Sequence, residues 1–128
     1  MGRNSATASM VWNRACHGGG EAPRQGDKHL AALLHFHGAA MNGGVLHATR
    51  FCSESELLDA RLGYDYFQLQ EAAAVLDKAE LLLKGRESPA DFERALDAAY
   101  DRVAADSRLR ARFEARYATK PDDFAPVQ

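Results

Sequence analysis

The sequence predicts an all-α fold, a compact single-domain bundle of five to six helices. Three observations carry that prediction. Apolar residues recur at the helical period through nearly every segment after residue 26, no segment alternates in the manner of a strand, and helix start and stop residues punctuate the chain. At 128 residues, 46% hydrophobic and 27% charged, the chain is long enough to bury one core and matches one domain in size.

Residues 1–26 are rich in Gly, Ser, Asn and Arg, and Gly18-Gly19-Gly20 opposes any regular element. They are expected to form a flexible N-terminal segment, with Met10-Val11-Trp12 and Cys16 in a short turn that docks Trp12 on the core. The helical domain then runs over 27–124, and 125–128 form a tail. Asp27 is a plausible N-cap for the first helix of the domain. Leu30, Leu33, Leu34, His37 and Met41 form its apolar stripe, widened by Ala32, Phe36 and Ala40, so this helix is expected to be central. Asn42-Gly43-Gly44 ends it, because closing the last carbonyls calls for a residue that reaches positive φ easily.

Val45 to Phe51 makes a short second helix. Ser53 with Glu56 three residues on is a capping box for a helix through Leu57, Leu58 and Leu62. Gly63 to Phe67 reads as a bend with three aromatics to bury. Leu69, Ala72, Ala73, Leu76, Ala79 and Leu83 mark the next amphipathic helix, which Gly85 ends. Ser88-Pro89-Ala90-Asp91 is a helix start whose buried face follows at Phe92, Leu96, Ala99, Tyr100 and Val103. A last helix after Asp106 or Ser107 carries Leu109, Phe113 and Tyr117 and stops at Lys120-Pro121.

A formal net charge of −2 gives no bulk attraction to nucleic acid or to an anionic membrane. No apolar run reaches membrane-spanning length, and the first 26 residues lack the core of a signal peptide. The two cysteines, Cys16 and Cys52, fit reduced thiols better than a disulfide framework, so the expected location is cytoplasmic. No cofactor is expected.

The charge is distributed unevenly. Residues 64–106 hold ten acids against five bases, whereas 107–120 hold five bases against one acid. Glu93, Asp97 and Asp101 fall at i, i+4, i+8 on one helix face. Like charges at that spacing repel by a few tenths of a kcal/mol, about 0.2–0.5 each, so folding alone does not favour the stripe. A solvated face is the ordinary explanation; an acidic recognition stripe is the functional one. Arg108, Arg112 and Arg116 form a basic counterpart able to grip an anion or an acidic partner, while Arg110 is offset by Asp106 and Glu114.

Four of the five histidines, His29, His35, His37 and His47, crowd into a short span, yet no pair has the i,i+4 spacing that chelates a metal from one helix. No metal site is read from the sequence. One would need tertiary folding to bring in Cys16, His47 or Cys52. The same residues define a thiol-enzyme alternative, but no orienting group or oxyanion loop stands at a recognisable spacing. The paired glycines follow no strand and lead into no phosphate-binding motif, so they read as linker and cap.

Asn42-Gly43-Gly44, the Gly63 to Ala79 stretch and Tyr100 through Phe124 together resemble a bacterial family of small helical domains of unknown function. That family includes an acidic DNA-mimic protein that binds a transcription factor. The resemblance covers roughly residues 27–124, with His47 standing where the family favours Gln. It implies an all-helical fold, with DNA mimicry of a basic DNA-binding protein's target as an alternative role, most members having no assigned activity. The residues themselves favour a non-catalytic protein-interaction module. Its partner would be another protein, or a second copy in a homodimer, engaged through Glu93, Asp97 and Asp101 or through the arginines. Direct nucleic-acid binding is not expected.

Overall fold

The computed structural model describes residues 2–85 and 90–127. Its elements are α1 (Gly2–Ala15), α2 (Gln25–Gly43), α3 (Val45–Phe51), α4 (Glu54–Tyr66), α5 (Gln70–Lys84), α6 (Ala90–Val103) and α7 (Asp106–Thr119), followed by a 3-10 turn at Pro121–Asp123. There is no strand among the described residues, so the all-helical class holds, with seven helices where the sequence predicts five to six. Ser88 and Pro89, read above as a helix start, lie outside the described residues.

The additional helix is α1. Residues expected to be flexible around a short turn instead bury Ala8, Val11 and Ala15 along one helical face. Trp12 lies half-buried, its ring 5.5 Å from that of Phe113. Helix propensity here is poor, but a packed apolar face supplies most helical stability in proteins.

A buried carboxylate fixes α1 in place. Asp27 lies in the first turn of α2 rather than at its N-cap, and it is fully buried. It accepts from Arg14 Nη2 at 2.8 Å, from the Arg24 backbone N–H at 3.0 Å and from the Ala125 backbone N–H at 2.7 Å. Arg14 also donates to the carbonyls of Ala125 and Pro126. One ion pair thus ties α1, the start of α2 and the residues expected to form a tail.

α2 is central and packs chiefly on α4 and α3. Leu30, Leu33, Phe36, His37 and Ala40 are buried, whereas Met41 is 50% exposed. The buried stripe is therefore turned toward Phe36 and Ala40. Gly63 explains the close α2–α4 crossing: a Cβ there would collide with the His29 carbonyl and stand 3.4 Å from Leu33 Cβ. α4 runs straight through this glycine to Tyr66, and the expected bend is a helix crossing. The chain turns two residues later, where Gln68 takes φ 60. Tyr64, Tyr100, Phe36, Phe113 and Phe124 are the largest fully buried side chains, and Phe36 meets both tyrosines edge-on.

Candidate functional site

The α2–α3 junction is built around Gly44. Its φ of 92° and ψ of 170° fall in a region open essentially to glycine alone. Asn42 and Gly43 are still helical, so the three-residue motif contains one conformationally demanding position. A Cβ at Gly43 would press on His47, 2.6 Å from its ring and 3.1 Å from its Cβ, so that exposed histidine would have to shift. A Cβ at Gly44 would lie 3.1 Å from a carboxylate oxygen of Asp97.

That carboxylate has a structural duty. Asp97 Oδ1 accepts the Val45 backbone N–H at 2.9 Å, capping the first turn of α3 from a different helix. Asp97 is half-buried, while Glu93 and Asp101 on the same face of α6 are exposed. Neither Glu93 nor Asp101 has an ion pair among the described residues. Asp97 and Asp101, but not Glu93, line a groove of about 290 Å³ between the end of α2 and α6, together with Met41 and Gly44. The fold therefore brings Gly44 of the Asn-Gly-Gly junction and two of the three stripe carboxylates to the same groove.

The arginines are less available than their spacing suggests. Arg116 lies over the Tyr66 ring at 4.2 Å and 4.0 Å from Asp123, and Arg108 is 3.7 Å from Glu71. Arg110 pairs with Glu114 at 2.9 Å, donates to Ser9 Oγ and covers Trp12. Arg112 is half-buried beside Arg116 in a small groove under α7. The basic stripe mostly anchors α7 to its neighbours.

His37 ends a buried polar chain that the spacing of residues does not reveal. Its Nδ1 is 2.7 Å from Tyr100 Oη, which also contacts Tyr64 Oη, and its Nε2 is 2.5 Å from Asp106 Oδ1. The Asp106 carboxylate accepts the Nε2–H, and Nδ1 and the Tyr100 hydroxyl share the second hydrogen bond. Burial raises both tyrosine pKa values; contact with Tyr100 raises that of Tyr64 further, whereas the hydrogen bond with Tyr64 partly offsets the rise at Tyr100. A cavity of about 600 Å³ opens beside this chain, walled by Trp12, Cys16, Leu34, His37, Asp106 and Arg110.

Cys16, His47 and Cys52 form no common ligand set among the described residues. Cys16 belongs to the α1 cavity, and His47 stacks on Phe51 at 6.1 Å. Burial raises the pKa of the Cys16 thiol, and burial together with the Glu56 carboxylate raises that of Cys52. Both shifts disfavour the thiolate that a nucleophile requires. A different trio does converge: His35 from α2, Cys52 from the turn after α3 and Glu56 from α4, with ligand atoms all within 4.8 Å of one another.

No helix among the described residues is long and apolar enough to cross a membrane. No family model matches the chain, and no curated protein or solved structure is significantly similar to it.

Proposed function

We propose that this chain is a non-catalytic protein-interaction module whose contact surface is the α2–α6 groove with the exposed carboxylates of α6. One observation carries the reading: Glu93 and Asp101 stand exposed without an ion pair among the described residues, on either side of a third carboxylate that folding does use. Isolated like charges along one helix face oppose folding slightly, so a partner's positive charge is what gives them a purpose. Met41, half exposed at the groove, adds an adaptable apolar contact. The matching partner is a protein segment with two basic side chains roughly 12 Å apart, two helical turns, flanking an apolar residue.

DNA mimicry, implied by the family resemblance, uses the same stripe with a basic DNA-binding protein as partner. It fits less well, because Asp97 is committed to α3 and only two carboxylates remain. A second copy of the chain is the homodimer alternative, and light scattering of the purified protein separates it from a foreign partner. The proposal is tested by affinity capture from native cytosol with wild type and a Glu93→Gln/Asp101→Asn double variant. A basic protein held by wild type, released by salt and lost from the equally stable variant supports it; identical capture by both contradicts it.

A further inference from the structure

We propose that His35, Cys52 and Glu56 form a binding site for a single divalent transition-metal ion of the zinc class. The three side chains come from separate elements, which is why no spacing in the sequence announces them. His35 Nε2 and Glu56 Oε2 are 3.2 Å apart, and one ligand atom from each of the histidine, the carboxylate and the Cys52 sulfur lies within 4.8 Å of the other two. Ligand atoms bound to one tetrahedral ion at about 2.0–2.3 Å stand roughly 3.3–3.8 Å from one another, so the histidine–carboxylate edge is near its final length and the sulfur needs only a small approach.

The donor set is selective. One thiolate, one imidazole and one carboxylate suit zinc or cobalt, whereas magnesium and calcium prefer oxygen alone. Two of the three ligands are held by groups outside the site. Glu56 Oε1 accepts the Ser53 backbone N–H at 2.8 Å, so the capping box turns Oε2 toward His35. The His35 ring rests against Phe51, 5.5 Å between centroids. Such outer contacts orient ligands in established metal sites. The backbone N–H of Cys52 closes the last turn of α3 onto Ala48, which fixes the start of its side chain.

His35 and Glu56 are partly open to solvent, with side chains 42% and 46% exposed, while Cys52 is buried. The ion would therefore be held from the protein side by sulfur and would keep its fourth position for water. Bound there, it would clasp α2 to the start of α4. The alternative is an ordinary exposed His–Glu ion pair beside an inert thiol.

The test is titration of the reduced, metal-free protein with cobalt(II), followed in the near ultraviolet, and competition with zinc(II). The expected result is a thiolate-to-cobalt charge-transfer band saturating at one ion per chain and displaced by zinc. Cys52→Ser should abolish the band, Cys16→Ser should leave it unchanged, and Glu56→Gln, which keeps the cap acceptor, should weaken binding by about tenfold or more. No band in the wild-type protein, or a band that survives Cys52→Ser, overturns the site. Should Cys52→Ser fail to fold, as judged by circular dichroism, His35→Asn and Glu56→Gln decide, and unchanged cobalt affinity in both overturns it.

Discussion

Gly44 and Gly43 are adjacent and chemically identical, yet the fold asks different things of them. At Gly44 the backbone sits at φ 92°, ψ 170°, and the space a side chain would occupy is taken by Asp97. Gly44→Ala is therefore expected to destabilise by about 1–3 kcal/mol, the usual range for a residue forced into a sparsely populated backbone region. Gly43 is the last residue of α2, and a side chain there would displace His47. Gly43→Ala should stay within about 1 kcal/mol of wild type, the helix preference of alanine offsetting the displaced ring. Chemical denaturation of the two variants checks this, and equal losses would mean that the junction is not governed by Gly44. The sequence motif marks the right place, but which glycine matters depends on Asp97, 53 residues later, and no local pattern encodes that contact.

At the scale of elements, α1 depends on Asp27. Removing that carboxylate leaves Arg14 with only the Ala125 and Pro126 carbonyls and no opposite charge, and releases the backbone N–H of Ala125. Asp27→Ala is expected to destabilise by about 3 kcal/mol, the low end for breaking a buried pair because Arg14 is partly exposed. Amide exchange should accelerate first in residues 8–15 and near Ala125; protection lost evenly across the molecule would contradict the clasp. α1 was partly legible, since Ala8, Val11, Trp12 and Ala15 fall at i, i+3, i+4 and i+7. Composition concealed it. Gly, Ser and Asn weaken the local signal, and the apolar face has meaning only once α7 supplies Phe113. α2 and α5 were readable because their apolar periods are long and their stop signals strong, and the start of α4 from its capping box. The bend read at Gly63 was a helix crossing, since a glycine that spares space for a neighbour looks the same in sequence as one that breaks a helix.

For the whole molecule, the titrating groups fix how stability varies with pH. Burial and Arg116 lower the pKa of His29, the Ser53 backbone N–H lowers that of Glu56, and the Tyr66 hydroxyl lowers that of Asp123. Each group binds its proton at higher pH in the unfolded chain, so stability declines as pH falls from about 6.5 through the carboxylate range. On the alkaline side, burial raises the pKa of Tyr66 to about 12 and moves Tyr64 and Tyr100 upward as well. The unfolded chain loses these protons first, as it does those of Cys16 and Cys52, whose pKa values the fold also raises. Stability therefore declines from about pH 8.5 upward and more steeply from about pH 10. Melting temperature measured across pH should form a plateau between those two declines. Tyr64→Phe should make the alkaline arm shallower; an unchanged arm would remove the buried tyrosines as its cause.

The proposed contact surface was half visible in the sequence. The acidic stripe could be read from its spacing, but its meeting with the α2–α3 junction, and the diversion of Asp97 into capping α3, belong to the tertiary fold. That division of labour among three carboxylates is the centre of the functional proposal. It is tested most directly by measuring the melting temperature and partner capture of Asp97→Asn beside Glu93→Gln/Asp101→Asn. Asp97→Asn should lower the melting temperature, while the double variant should melt like wild type and lose its partner. A double variant that melts like wild type and captures the same proteins would contradict the assignment of this face as the binding surface.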